Sequence, residues 1–335
     1  VKRDDLSSPE YGGNKPRKLE LILAWARERG AQTLVTFGGL GTNHGLATAI
    51  YGKKLGFRVI LILTPQPITE YVIRNLYLMV HFGAEVIPTK GPVYAAYKAL
   101  KVLLRGERHY MIPPGGSSAL GTLGFVNAAF ELKDQLHQGN IPEPDYVFLP
   151  LGSCGTAAGL GLGMKMAGLS SHIVAVRVYD RIASNSYTVD LLQRRTITLL
   201  KKLVHEIPLT CARGASASGG LVSPRGGGIK GGEKDVIVLH KFFGGGYGVP
   251  TEDGAKAMEM AMECEGMHLD PTYSGKAMAG FIDFVRSGRA RGKRLLFWNT
   301  YNSAPMDDIL KGLSPKEMAE RLPLGLVTWI TETSS

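Results

Sequence analysis

The chain has 335 residues, 44% hydrophobic and 20% charged, an ordinary globular composition with room for one large domain or two modest ones. No apolar run is long enough to cross a bilayer and Val1-Lys2-Arg3-Asp4-Asp5 is no signal peptide, so a soluble cytoplasmic protein without a membrane partner is expected. The formal net charge of +10 comes without a dense Lys/Arg helix face or interleaved aromatics, which argues against nucleic acid and leaves a field that attracts small anions.

The sequence starts abruptly in what reads as a strand, and an N-terminal segment is expected to be missing. Gly12-Gly13 predicts a tight turn, Asn14 is a candidate N-cap, and an amphipathic helix follows over about 18–29. Apolar strands at 33–37, 58–63, 84–88 and 109–113 then alternate with helices at 46–51, 71–82, 94–104 and 121–136. A second sheet is expected from strands at 146–151, 173–178, 236–240 and 294–300. Its helices are expected at 160–167, 184–203, 251–265 and 274–287, with a short terminal one at 314–321. The Gly/Ser-rich stretch 214–234 reads as a long surface loop or mobile lid.

Continuous apolar strands alternating with helices predict buried parallel sheets. The fold class is therefore α/β: two lobes of open, twisted, mainly parallel sheet with helices on both faces and a cleft between. Residues 18–128 are assigned to a smaller lobe, and 1–17 with 129–335 to a larger one. Ligands in such folds sit at the carboxyl ends of strands, where glycine loops follow Phe37, Pro113 and Leu151.

Each loop has a bland reading beside a chemical one. Lys15 is either a solvated basic residue on a turn or an amine for an aldehyde cofactor. Gly152-Ser153-Cys154-Gly155-Thr156 is either a small-residue turn or a cradle of backbone N–H groups for a phosphate at a helix N-terminus. It matches neither Walker A nor Gly-x-Gly-x-x-Gly. Thr42 and Asn43 are N-cap candidates that can also hold a carboxylate, and His44 is a packing or supporting histidine. Tyr247 and Tyr273 are loop tyrosines; Tyr273 stands before a helix, a suitable place for a general acid. Cys154, Cys211 and Cys264 are scattered, so no metal is expected and reduced thiols are the simplest account.

Six stretches in order, from residue 1 to about 300, carry a resemblance. They are Val1–Leu6 with Gly12-Gly13-Asn14-Lys15-x-Arg17-Lys18-Leu19-Glu20; Gly38-Gly39 with Asn43-His44; and Ile112-Pro113-x-Gly115-Gly116-Ser117-Ser118-Ala119-Leu120-Gly121. The others are Gly152-Ser153-x-Gly155-Thr156-x-x-Gly159, Gly246-Tyr247-Gly248-Val249-Pro250, and Leu269-Asp270-Pro271-x-Tyr273-x-Gly275-Lys276-Ala277-Met278-Ala279-Gly280. The chain resembles the D-cysteine desulfhydrase / 1-aminocyclopropane-1-carboxylate deaminase family. These are pyridoxal 5′-phosphate enzymes with the tryptophan synthase β-like fold, fold type II.

The resemblance implies that Lys15 carries the cofactor as a Schiff base, with Asn14 beside it. It also implies that Gly152, Ser153, Cys154, Gly155 and Thr156 hold its phosphate, and that Ser274 or Thr300 faces its pyridine nitrogen. Thr42, Asn43 and His44 would bind substrate, and Thr42, Tyr247 and Tyr273 would take part in catalysis. The expected reaction is α,β-elimination of D-cysteine to pyruvate, sulfide and ammonia. His44 and Ser117–Gly121 lean that way, as does Ser274, where a deaminase is expected to carry Glu. The alternatives are cyclopropane ring opening to 2-oxobutanoate and ammonia, and a pyridoxal-phosphate-binding protein with altered catalysis. Family members are usually homodimers. Two departures stand out. Gly41-Thr42 replaces Gln-Ser, so the Thr42 methyl is expected to crowd the carboxylate site. Asn299-Thr300-Tyr301-Asn302 replaces His-Thr-Gly-Gly, so Tyr301 adds bulk and loses a glycine's backbone freedom.

Overall fold

A computed structural model describes residues 1–206, 236–304 and 306–334. The 214–234 stretch and Cys211 lie outside the described residues.

The smaller sheet is built from β2 (Thr33–Gly39), β3 (Arg58–Thr64), β4 (Glu85–Pro88) and β5 (His109–Ile112), in the order β4-β3-β2-β5. All three pairings are parallel, with Leu34 opposite Val59 and Tyr110. Between these strands run α2 (Asn43–Lys54), α3 (Glu70–His81) and α4 (Pro92–Leu103). Ile60, Ile62 and Val35 pack under α4 on one face; Leu34, Leu61 and Leu63 join the core on the other. A strand buried on both faces needs an unbroken apolar run, which Val59-Ile60-Leu61-Ile62-Leu63 supplies.

The larger sheet has the order β1-β9-β6-β7-β8: β1 (Lys2–Arg3), β9 (Leu295–Asn299), β6 (Tyr146–Leu151), β7 (His172–Arg177) and β8 (Val236–Leu239). Its pairings are parallel too. Helices α6 (Gly155–Ala167) and α7 (Ser186–Glu206) accompany it, as do α8 (Glu252–Glu265) and α9 (Ser274–Arg286). Helix α5 (Ala119–Gln138) joins the lobes, with Phe125 edge-on to Trp298 of β9 in the larger-sheet core. The expected two-sheet α/β architecture is present. Among the described residues, no helix is long and apolar enough to cross a membrane.

Two local expectations change. Helix α1 runs Lys15–Glu28, so Lys15 is its first residue rather than part of a preceding turn. After β9 come α10 (Asp307–Leu310), α11 (Pro315–Glu320) and α12 (Leu324–Ser334), where the sequence predicts one short helix. The sequence reading assigns this tail to the larger lobe. Its Met306, Met318, Leu322 and Leu326 instead join the core that holds Leu40, Leu61 and Leu76 of the smaller one.

The start of the chain is tied down by a buried carboxylate. Asp4 is fully buried and accepts from Arg17 Nε and Nη2 at 3.0 and 2.8 Å and from Trp298 Nε1 at 2.7 Å. Its carbonyl takes the Gly13 N–H at 2.7 Å. Arg17 reaches Glu131 of α5 as well, at 2.7 Å. One carboxylate thus joins β1, α1 and β9. Asp4→Ala leaves a guanidinium and an indole N–H short of an acceptor, and is expected to cost about 3 kcal/mol. Urea unfolding measures the loss.

Candidate active site

Gly12 and Gly13 bring α1 against the end of β9. A Cβ on Gly12 would lie 2.0 Å from the Asp5 carbonyl oxygen. On Gly13, at φ +82°, it would lie 2.6 Å from that of Thr300. Only glycine fits both places. Pro16 stands in the first turn of α1, where its missing N–H has no helical partner to lose. Lys15 therefore projects from a fixed helix start. Its Nζ donates to Asn14 Oδ1 at 2.7 Å and sits 6.0 Å from the Tyr273 ring centroid. Desolvation lowers its pKa to about 8 against the opposing pull of the Asp270 carboxylate. Asn14 makes no capping bond; its Nδ2 donates instead to Thr156 Oγ1 at 3.1 Å.

One turn along α1, Lys18 is almost wholly buried and aims at the start of α6. Its Nζ donates to Gly115 O at 3.1 Å and Ser117 Oγ at 3.2 Å, and a Cβ on Gly155 would come within 2.9 Å of it. Ser117 Oγ also accepts from Gly155 N at 3.2 Å and bonds Ser153 Oγ at 2.8 Å. No described residue forms an ion pair with Lys18. Burial, then the neighbouring Lys15, push its pKa well below the usual value. The N-terminal end of α6 carries partial positive charge. The Lys18 amine and the helix end face each other across a glycine loop and form a cradle for an anion, whose charge would favour the protonated amine. Cys154 caps α6 with φ +64°, a left-handed turn that is costly for a residue with a Cβ. Its thiol turns away toward the Ala183 carbonyl, 3.4 Å off, and burial pushes it up to about 11. Cys154 thus offers the cradle backbone only, while Ser153 and Thr156 face it with hydroxyls.

The opposite wall is the start of α2. Asn43 Oδ1 accepts from Tyr11 Oη at 3.2 Å, from Asn75 Nδ2 at 3.2 Å and from the Tyr71 hydroxyl. Asn75 Nδ2 also donates to the Gly41 carbonyl at 2.9 Å, which fixes that amide and hence the Asn43 one. Asn43 Nδ2 is left as its donor end. Thr42 is the N-cap, accepting from Gly45 N at 3.3 Å. The expected crowding by its methyl is absorbed by glycines: a Cβ on Gly45 would lie 2.5 Å from Thr42 Cγ2, and one on Gly38 2.7 Å from it. Thr36 Oγ1 gives its proton to Ile112 O at 2.9 Å, so it accepts from His44 Nε2 at 3.0 Å. His44 Nδ1 is then a bare, buried acceptor without a partner among the described residues. Burial, then Lys15 and Lys18, push the ring's pKa far below its usual value, so it is neutral at pH 7.

The third wall comes from the larger sheet. Tyr247 and Tyr273 join their hydroxyls at 2.5 Å, and burial raises both phenols, Tyr247 to about 12. Tyr247 also closes on the smaller lobe: a Cβ on Gly39 would lie 2.7 Å from its ring and 2.6 Å from Gln66 Oε1. Ser274 does not present a free hydroxyl. Its Oγ donates to Asp270 Oδ2 and accepts from Asp270 N, both at 2.7 Å. Asp270 further takes the N–H groups of Thr272, Tyr273 and Ser274. Of the two residues expected at the pyridine nitrogen, Thr300 is the one whose hydroxyl is not spent on this turn. Its carbonyl accepts from Asn14 N at 3.1 Å. Tyr301 is not among the positive-φ residues, so the backbone cost expected of it is absent. Asn302 Oδ1 secures Gly12 N at 2.6 Å.

Lys15, Asn14, Thr156, Tyr273 and Thr300 are thus brought together, with the Asn43 wall opposite. Sequence reading missed Lys18, Tyr11, Tyr71, Asn75 and Asp270. Lys18 stands three residues after Lys15, a spacing that shares a helix face and could have flagged it. Asn75 has no local signal, because only folding brings α3 to α2. Among the described residues, no group of three His, Cys, Asp or Glu gathers to hold a metal.

A parallel α/β pair of lobes with a lysine on a helix start, facing an anion cradle, defines an aldehyde-cofactor enzyme site. The chain belongs to the family described as pyridoxal-phosphate dependent enzyme, which matches residues 1–300. A solved structure described as an ACC deaminase homologue is 29% identical. The match covers 93% of this chain and 88% of that one, with a TM-score of 0.70. The protein is a pyridoxal-phosphate-dependent enzyme of fold type II, in the group that unites the deaminase and D-cysteine desulfhydrase.

The neutral amine is the form that attacks an aldehyde. With the Lys15 pKa near 8, cofactor incorporation into apoprotein is expected to quicken with pH and level off above about 8. Stopped-flow absorbance reads the rate; a rise continuing past pH 10 contradicts the assignment of this lysine.

Proposed function

We propose that this enzyme eliminates sulfide from D-cysteine, giving pyruvate and ammonia, with Lys15 as the cofactor-holding lysine. The carrying observation is the pairing of a lysine of lowered pKa with a second buried lysine that faces the α6 N-terminus. The donor set fits the cofactor. Lys18, Ser153, Thr156 and the loop amides suit a phosphate, Asn14 stands beside the aldehyde-binding amine, and Thr300 suits an unprotonated ring nitrogen. Pyridoxal phosphate supplies the aldehyde that captures amines and a ring that delocalises charge from Cα.

The residues divide the remaining work. The α2 N-terminus and Asn43 Nδ2 hold the substrate carboxylate. Lys15 Nζ, once free, takes the Cα proton. The paired Tyr247 and Tyr273 hydroxyls stay protonated at neutral pH, as their raised pKa values require. They are suited to donate a hydrogen bond or proton, and poorly suited to attack carbon as phenolates. That supports elimination of an anionic leaving group over nucleophile-assisted ring opening. Asp270, the carboxylate next to Tyr273, is engaged by the Thr272, Tyr273 and Ser274 N–H groups and the Ser274 hydroxyl, which leaves it poorly suited to activate a phenol. Cytoplasmic residence and a homodimer accompany this reading, on the resemblance alone.

Two experiments test it. Holoenzyme with D-cysteine is expected to release sulfide and pyruvate in equal amounts. Inert D-cysteine with 2-oxobutanoate formed from 1-aminocyclopropane-1-carboxylate supports the deaminase instead. A spectrum unmoved by any amino acid supports lost catalysis. Lys18→Met is expected to weaken pyridoxal phosphate about tenfold, from the loss of a charge-assisted hydrogen bond, and to leave pyridoxal unchanged. Equilibrium dialysis compares the two; equal effects rule out a phosphate role for Lys18.

A further inference from the structure

One aromatic ring beside the cleft has no part in the scheme above. β6 and β7 pair in register to their last residues, Leu151 and Arg177, and Val178 N still reaches the Leu151 carbonyl at 3.0 Å. The two strands therefore leave the sheet side by side, one into the cradle loop at Gly152, the other into Tyr179. The Tyr179 ring is 39% exposed and stands edge-on to Tyr247, with 4.9 Å between centroids and 75° between planes. Tyr247 joins Tyr273 through their hydroxyls. The Tyr273 ring lies over the Gly152 backbone, its Cε1 3.5 Å from where a Cβ would stand.

The loop that follows Tyr179 returns to the same glycine. Ser184 is buried and its hydroxyl donates to the Gly152 carbonyl, while the Cys154 thiol points to the Ala183 carbonyl at 3.4 Å. The loop is tied within itself. Asp180 Oδ1 accepts from Ile182 N, the Asp180 carbonyl accepts from Ser184 N, and Asn185 Nδ2 donates to the Arg181 and Ile182 carbonyls, all at 2.8 Å. A closed ring of contacts results, from Gly152 through Tyr273, Tyr247, Tyr179 and Ser184 back to Gly152. Arg177 braces it. Its Nη1 donates to the Tyr179 carbonyl at 2.8 Å, and its Cζ lies 4.3 Å from the centre of the Phe243 ring. Phe243 heads the Gly244-Gly245-Gly246 run that carries Tyr247. That run has no side chains to pack, so the place of Tyr247 depends on what its ring touches.

We propose that Tyr179 is a positioning residue that couples the Tyr247–Tyr273 pair to the phosphate cradle. A phosphate in the cradle orders Gly152 and Cys154, hence the loop over 179–185, hence the ring edge against which Tyr247 sits. The paired hydroxyls are then set by the same event that secures the cofactor. Their use on a departing group rests on the elimination reading above; the coupling itself does not. The left-handed backbone of Cys154 acquires a purpose here, since it turns the thiol out of the cradle and onto this loop.

Fluorine NMR reads the coupling, with a ring-fluorinated tyrosine in place of Tyr247. The protein is saturated with pyridoxal phosphate or with pyridoxal, which lacks the phosphate. The two complexes are expected to give separate resonances. Tyr179→Leu removes the ring and is expected to lose most of that separation, while Tyr179→Phe keeps it. Ser184→Ala cuts the other end of the loop, is expected to act like the leucine variant, and decides the matter if that variant fails to fold. Retained cofactor absorbance checks folding. Coincident resonances without any further substitution, or a separation that survives Tyr179→Leu, overturns the proposal. In turnover, Tyr179→Leu is expected to slow sulfide release from D-cysteine about tenfold, the scale of a misplaced acid. It is expected to leave exchange of the D-alanine Cα proton with solvent unchanged, because that is the work of Lys15; equal slowing of both counts against a role at the tyrosine pair. Failure of the unaltered enzyme to release sulfide counts against the elimination reading, while the fluorine separation is read without turnover.

Discussion

Lys15 owes its place to the buried Asp4 carboxylate. Asp4 holds Arg17 of α1 and the Trp298 indole of β9, while its own backbone carbonyl holds Gly13. A carboxylate removed from water is costly unless its lone pairs are filled, and here they are filled by groups from separate elements. The turn at Gly12-Gly13 can then approach Thr300 without side chains between them. Lys15 starts a helix that is anchored at both the larger sheet and α5. Local sequence makes the turn; Asp4 decides where it is aimed.

The cleft is electrostatically incomplete as a bare protein. Lys18 is buried against the positive end of α6, Lys15 stands nearby, and the one central carboxylate is committed to capping α9. Water cannot relieve such an arrangement, so the lysine pKa values fall. An anionic cofactor relieves it, and the same lowered pKa makes Lys15 reactive at moderate pH. Binding and reactivity here come from one cause. The tyrosines respond to burial in the other direction, keeping their protons. This separates the group that accepts a proton from those that can donate one.

Much of this was legible without coordinates. The strand–helix alternation gave the two parallel sheets, and the glycine loops marked the strand ends that line the cleft. Other expectations changed for physical reasons. Ser274 was a candidate ring-nitrogen partner until folding showed its hydroxyl spent on Asp270, four residues away along the chain. The Thr42 methyl looked obstructive when its neighbours were known only as names. Gly38 and Gly45 receive it, one on β2 and one on α2. Tyr301 looked strained as a replacement for glycine, yet its backbone needs no positive φ.

The sequence by itself determined the α/β class and the parallel sheets, and singled out Lys15 as a candidate, because these follow from periodicity, turn chemistry and a string of short motifs. Only the tertiary structure decided what surrounds that lysine. Asn75 orients Asn43 from another helix, and Lys18 meets Gly115 and Ser117, far along the chain. Side-chain pairing over such distances depends on how the sheets and helices pack in space, and no local pattern in the chain records it.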